Sequence, residues 1–560
     1  MKRTRILLFS VFAAYFLAFA LPKSGAPLKV FEWEYFSAAV SAAASGVPAS
    51  YGAAMPSVEH PPFYPHLLGS VMEFTGPSVR AARVMGVILA LSACLPLLLL
   101  SNAVSAGVAF LPAAAFFLTS PAIIQGSAII GAADTGLLLP LLPLLCWALL
   151  MFQRRPAFSA GALAAGLFAV CLWAKFTTSL AVPAFFLGWR AVNRDRAGFL
   201  RELAIFSAGA GLFVASWALY CRLVVGMEYF HVPLSYSLTQ FSAGMPAGGI
   251  LERLARSAAD FTRILAWLSP FLLAAAAAAF PGWKNDDDSS GRGLLLFATF
   301  VLLGYAVVRG TGGGFPKYEL PAVGFFCLAA GARFARELSD LGVRERLGLG
   351  LMTAVAFAYA FFALGDTVLY AQELARYASL RGAGAALRAG ALPSLAYFLP
   401  FCTAVPLAAR LSGWSAGRAF FLTALCFAFG YNFALNARQL SAGYSTTYAY
   451  GTSGSAEAAE FLRANTAPDS PVIGAFETLY SAGNRRALFM PGTAWNSSEG
   501  FISYAAALRP AAVVCGLGTN TAVQQAEVFD SPAARAYLSS SYDEHIFGSY
   551  TVWLKRNGKK

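Results

Sequence analysis

Residues 157–189 read AFSAGALAAGLFAVCLWAKFTTSLAVPAFFLGW, an apolar stretch broken by one lysine, Lys175. Lipid offers backbone groups no partner, so a chain crosses a bilayer as helix and needs roughly twenty apolar residues to do so. The stretch is either one long helix or two short spans, 157–172 and 174–189, parted at Lys175. The choice decides on which side of the membrane everything downstream lies.

Similar apolar runs recur along the chain, at 6–22, 80–100, 103–119, 135–152, 202–222, 258–280, 293–309, 318–334, 346–364, 394–411 and 418–435. With the 157–189 block crossing twice, about thirteen spans result. Starting from an inner N-terminus, the inner connections then hold Arg154–Arg155, Arg190/Arg194/Arg196/Arg201, Lys284/Arg292, Arg336/Arg344/Arg346 and Arg410/Arg418. Basic inner loops are what the positive-inside rule requires, and the alternation works only if the block is split. The expected fold is a polytopic α-helical membrane protein of the bacterial inner membrane, with a C-terminal periplasmic α/β domain.

Composition agrees. The chain has 560 residues, 58% hydrophobic and 12% charged, with a mean hydropathy of +0.60, where soluble domains carry about a quarter charged residues. Its net charge of +13 sits mostly between apolar runs, which argues for membrane lipids as partners and against nucleic acid. Seven of the eight cysteines lie in or beside apolar segments, and no CxxC or Cys/His metal spacing occurs. The start, MKRTRILLFSVFAAYFLAFALPKSGA, has the form of a signal peptide and equally of a signal-anchor; the many following spans favour an uncleaved first helix.

Two domains are expected. Residues 1–436 form the membrane region, with a first outer loop at 23–79, and residues 437–560 form the α/β domain. In the loop, FEWEYFSAAVSAAASG (31–46) reads as a surface-lying helix ending at Gly46. In the tail, SAEAAEFLRANT (455–466) reads as a helix with a serine cap, while PVIGAFE, RRALFM, AAVVCGL and SYTVWLKRN read as strands.

Four groups of polar residues fall on the outer side. Glu32 and Glu34 stand two apart on the loop helix and cannot share a face, so one points into a site or both are solvated. Glu59-His60-Pro61-Pro62 is a rigid corner that presents an acid and an imidazole, as a metal or phosphate ligand pair or simply as the start of the next helix. Asp134 stands at the outer end of a span, where capping the following helix explains it and an acidic role is compatible. Lys175, Arg309 and Lys317, with Tyr318 beside the last, supply cations; Arg309-Gly-Thr-Gly-Gly-Gly-Phe-Pro-Lys317 can cradle a phosphate or serve as a linker. Acids to activate an acceptor and cations to hold a phosphate leaving group are what transfer from a lipid phosphate needs.

The order of these features resembles the GT-C superfamily of polyprenyl-phosphate-sugar-dependent glycosyltransferases, in the bacterial branch of aminoarabinose transferases and protein O-mannosyltransferases. The resemblance covers Met1 to about Asn436 and runs through FEWEYFSAA, EHPPFYPHLLG, SVRAARVMGVILA, GAADTGLLL, WAKFTTSL and KYELPAVGFF. It implies an inverting transferase that moves a sugar from an undecaprenyl-phosphate donor to an extracytoplasmic lipid, glycan or protein. Glu32 or Glu34 would be the base and Asp134 a supporting acid. His60, Lys175, Arg309, Lys317 and Tyr318 would face the donor phosphate. Glu59 would take a metal or phosphate role, as ligand of a divalent metal ion or at the donor phosphate; no nucleotide signature is present. The chain departs from the family in carrying Phe-Glu-Trp-Glu where an Asp-Glu pair is usual, and His60 where the family has lysine. The competing readings are a flippase or transporter of lipid-linked glycans and a non-catalytic scaffold of envelope assembly. Transporters place polar groups near mid-membrane on repeated halves, whereas these acids cluster on one face.

Overall fold

The computed structural model describes residues 2–25, 30–49, 56–130, 136–243, 268–280, 290–309, 317–364, 383–441, 454–474, 487–488, 497–516, 528 and 531–556, apart from 469 and 549, with isolated residues between 254 and 261. The chain divides into two compact units. One comprises Met1–Ser24, Val58–Tyr64 and Arg83–Ala442; the other comprises Gly25–Ser57, Pro65–Ala82 and Gly443–Lys560.

The first unit is helical. Among the described residues five helices are long and apolar enough to cross a membrane, or six if one bent pair counts as a single span. Shorter apolar helices, among them Leu138–Arg154, Phe158–Ala174 and Pro270–Ala279, pack among them. The block at 157–189 is parted at Lys175, into Phe158–Ala174, a turn at Phe176–Ser179, and Ala181–Val192. The expected runs at 80–100 and 103–119 divide differently. Val79–Ser92 and Cys94–Ser105 form one candidate span, and Phe110–Thr119 turns by 65° into Pro121–Ser127. Pro121, which has no N–H to continue the ladder, accounts for that break.

Small residues let the helices approach closely, as membrane packing favours. A Cβ on Gly331 would lie 2.7 Å from the Ala113 nitrogen and 2.9 Å from the Ala109 carbonyl, so Leu320–Ser339 crosses Phe110–Thr119 almost backbone to backbone. Elsewhere an ion pair joins neighbours: Arg190 bridges Asp195 at 2.8 Å and the 1%-exposed side chain of Glu202 at 2.9 Å. Asp195 also caps the helix Arg196–Tyr220 by accepting from the Gly198 N–H at 2.9 Å.

In the second unit Val30–Ser45 is helical and stops at Gly46, whose φ of +75° is the left-handed conformation that suits glycine. The C-terminal residues form a mixed sheet of β1 (Val472–Gly474), β2 (Ala487–Leu488), β3 (Ala512–Gly516), β4 (Tyr542–Phe547) and β5 (Tyr550–Lys555) in the order β2-β1-β3-β5-β4. β1 pairs in parallel with β2 and β3, and β5 runs antiparallel to β3 and β4. Alternate residues face opposite sides. Val472, Val514 and Val552 pack with Ala458 and Leu462 of the helix Ser455–Asn465. Ile473, Val513 and Trp553 pack with Phe501 and Leu538 of the helices Ser498–Leu508 and Pro532–Ser541. The N-cap of the helix Ser455–Asn465 is Gly454, in left-handed conformation, and not the expected serine.

Candidate functional site

The break in the apolar block creates the site. The helix Phe158–Ala174 ends because Lys175 takes extended backbone angles, φ −158° and ψ 102°, while its N–H still bonds the Cys171 carbonyl at 2.8 Å. Freed carbonyls in an apolar setting need donors. The Ser179 hydroxyl lies 2.7 Å from the Cys171 carbonyl and 2.7 Å from that of Lys175. The lysine side chain is thereby turned inward and is only 2% exposed.

Its ammonium lies 2.8 Å from Nε2 of His60. An ammonium has only protons to give, so Nε2 accepts and His60 carries its own proton on Nδ1. The imidazole is held by the proline corner, with Pro61 and Pro62 both buried, and stands edge-on to Tyr236 with centroids 5.2 Å apart. Tyr318 is flanked by two cations, Lys175 Nζ at 5.4 Å and Lys317 Nζ at 5.0 Å from its ring centre. Tyr305 stacks on Tyr318 at 5.4 Å, and its hydroxyl meets the Thr178 hydroxyl at 2.5 Å.

His60, Lys175, Tyr236, Tyr305 and Tyr318 line a cavity of about 300 Å³. Its polar lining is His60, Lys175, Thr177, Tyr236, Ser237, Tyr305 and Tyr318; the rest of the lining is Leu180, Ala181, Ala184, Phe300, Val301 and Gly304. An ammonium, an imidazole and several hydroxyls gathered beside apolar walls can bind an anion through charge-assisted hydrogen bonds. The arrangement therefore suits an anionic head group that carries an apolar chain.

Of the residues singled out in sequence, His60, Lys175 and Tyr318 line this one cavity, and Lys317 lies against the Tyr318 ring. Arg309 ends the helix Ser290–Arg309, but its side chain lies outside the described residues, as does the glycine-rich loop. Asp134 also lies outside them. Glu32 sits in the first turn of Val30–Ser45 with a fully buried side chain, while the side chain of Glu34 is outside the description. Glu59 is exposed. Sequence reading missed Thr178, Tyr236 and Tyr305. Tyr305 is the one tyrosine in the apolar helix Ser290–Arg309, and Thr178 lies one turn past Lys175; both were legible signals of a lined cavity.

Among the described residues no group of three or more His, Cys, Asp or Glu side chains could hold a metal ion. The His60 ring does not suit one either: Nε2 is spent on the ammonium and Nδ1 bears the proton. A divalent cation at Glu59 and His60 would also stand next to Lys175, whose charge opposes it.

No protein-family model matches the sequence, and no curated protein matches it. Among solved structures, the chain is similar to ArnT from Cupriavidus metallidurans in a crystal structure bound to undecaprenyl phosphate. The TM-score is 0.62 at 15% identity, over 99% of this chain and 98% of that one. The crystal structure of the same ArnT in the apo state matches with a TM-score of 0.53 at 14% identity, over the same shares. At such identities the likeness establishes the fold, which is the one the family resemblance implied.

Proposed function

We propose that the protein is a membrane glycosyltransferase that moves a sugar from an undecaprenyl-phosphate donor to an acceptor outside the cytoplasm. The observation that carries this reading is the buried Lys175, hydrogen-bonded to His60 and set over the Tyr318 ring, in the lining of a largely apolar cavity. An ammonium beside a partly apolar cavity supports binding of an anionic lipid head group, in a chain with the fold of an ArnT crystallised with undecaprenyl phosphate. The donor phosphate would lie against Lys175 and Tyr318, with Lys317 and Arg309 adding charge, and its first isoprene units along Ala181, Ala184 and Val301.

The chemistry follows from that placement. An acceptor hydroxyl attacks the sugar C1 from the side opposite the phosphate. The new C–O bond forms as the C1–O–phosphate bond breaks, and configuration inverts. A carboxylate, Glu32 or Glu34, takes the hydroxyl proton, and Asp134 orients the acceptor. The phosphate leaves as an anion and needs no proton, because ammonium groups face it. The scheme uses no metal step. With it go the thirteen-span topology, a periplasmic α/β domain at residues 437–560, and an inner-membrane location; lipid, glycan and protein all remain acceptor classes.

Glu32→Ala, Glu34→Ala and Asp134→Ala variants in a lipid-linked sugar transfer assay test the assignment. One glutamate variant should lose transfer by about 10²-fold or more while retaining donor binding. Full activity in all three would refute the catalytic roles.

A further inference from the structure

Of the side chains that line the Lys175 cavity, only the His60 imidazole changes charge readily near neutral pH; the other polar ones are hydroxyls and the ammonium itself. The charged groups around the ring are Lys175, in contact, Lys317, at 5.0 Å from the Tyr318 ring centre, and Glu59, its exposed neighbour in the chain. Tyr236, Tyr305 and Tyr318 share the cavity. While Nε2 accepts from the Lys175 ammonium at 2.8 Å the ring is neutral, because a proton on Nε2 would face a like charge.

Transfer changes the charge in this space. A lipid-linked sugar phosphate is a diester with one negative charge. When the C1–O bond breaks, its electron pair stays on the phosphate oxygen, and the lipid phosphate becomes a monoester with close to two charges at neutral pH. The lysines carry the same charge before and after. An ammonium on a flexible stem with rotatable donors can turn from the imidazole to the phosphate. That turn frees Nε2, and the new negative charge favours the protonated ring.

We propose that His60 takes a proton on Nε2 as the sugar leaves, so that binding of the lipid phosphate, unlike binding of the donor, is linked to proton uptake. The proton comes from bulk water, and the phosphate itself stays unprotonated. Release of the lipid phosphate returns the proton and is favoured as the pH rises. This inference rests on the proposed function, because donor and product differ by that charge only if the sugar is transferred from a phosphodiester.

Geranyl phosphate, a soluble prenyl monoester, and its methyl diester, which keeps a single charge, test it with the full chain in nanodiscs. Calorimetric titrations in buffers of different ionisation enthalpy count the protons taken up on binding. At pH 7.5 the monoester should bring about 0.5 proton or more and the diester less than about 0.1. Affinity for the monoester should accordingly rise about fivefold from pH 8 to pH 6.5, while that for the diester stays within about twofold. In His60→Gln, whose amide oxygen accepts from Lys175 without titrating, uptake with the monoester should fall below about 0.1 proton. Equal uptake with both esters, no uptake with either, or uptake that persists in His60→Gln would overturn the proposal. Failure of both esters to bind would overturn the phosphate site and the proposal together. Sugar transfer without proton uptake would overturn this inference and leave the proposed function standing. Proton-linked monoester binding in a chain that transfers no sugar would overturn the proposed function, and with it the timing of the proton, but not the proton-linked site.

Discussion

Replacing Lys175 by methionine isolates the contribution of one buried charge. The two side chains are of similar length, so the cavity keeps its shape. What is lost is an ammonium, 2% exposed, that sits 2.8 Å from His60 and 5.4 Å above the Tyr318 ring. A hydrogen bond to a charged group is worth about 1.5–3 kcal/mol net, which converts to a loss of about 10- to 150-fold in donor affinity. Stability should move little. Removing a buried charge is favourable, while leaving His60 Nε2 without its donor costs about 1–3 kcal/mol, and the two offset. The assay is equilibrium binding of undecaprenyl phosphate to the protein in nanodiscs, beside the thermal midpoint of each sample. Affinity within about twofold of the unmodified protein, with an unchanged midpoint, would refute the placement of the phosphate at Lys175. Lys175→Arg is not a mild control, since a planar guanidinium does not fit where a compact ammonium meets an imidazole.

Three further expectations concern the scaffold. Gly331→Val should destabilise the helix crossing at Ala109 and Ala113 by about 1–3 kcal/mol, measured as a lower thermal midpoint, because its Cβ meets backbone at 2.7 Å. Arg190→Ala removes the counter-charge of the buried Glu202 carboxylate, which keeps the Gln153 amide at 2.7 Å, and should cost about 3–5 kcal/mol, whereas Asp195→Ala, at a more exposed position, should cost about 1 kcal/mol as a lost cap. Burial holds the imidazole of His66 below its ordinary value of 6.5. The unfolded chain therefore takes up that proton first, and stability intact above pH 6.5 declines as the pH falls through the folded value. Unfolding midpoints between about pH 7.5 and pH 5 should show that decline, and His66→Gln should flatten it.

Much of the helical layout was legible because apolar runs in lipid have few alternatives. Lys175 marked the break in the 157–189 block, and the turn at Phe176–Ser179 lies beside it. Gly46 marked the end of the loop helix for a local reason, its positive φ. The bend at Thr119 was not found, although Pro121 stands in plain view; a proline after an apolar run reads equally as the loop that follows a span. In the C-terminal residues β1, β2, β3 and β5 coincide with apolar runs. β4 was missed because it is a sheet edge with only Tyr542 buried, so YDEHIF carries little apolar pattern. The convergence of His60 with Lys175 could not be read from residues 115 apart, since no local rule links a proline corner to a helix break. Their shared outer placement was as far as topology reached.

Sugar transfer with release of the lipid phosphate can be followed directly. Purified protein in proteoliposomes, given undecaprenyl-phosphate-linked sugars labelled in the sugar together with envelope lipid, glycan and protein acceptors, provides the direct measurement. Labelled acceptor of inverted configuration and one undecaprenyl phosphate released per sugar moved are expected, both lost in Lys175→Met. Labelled donor that crosses the bilayer intact, with no labelled acceptor formed, would contradict it.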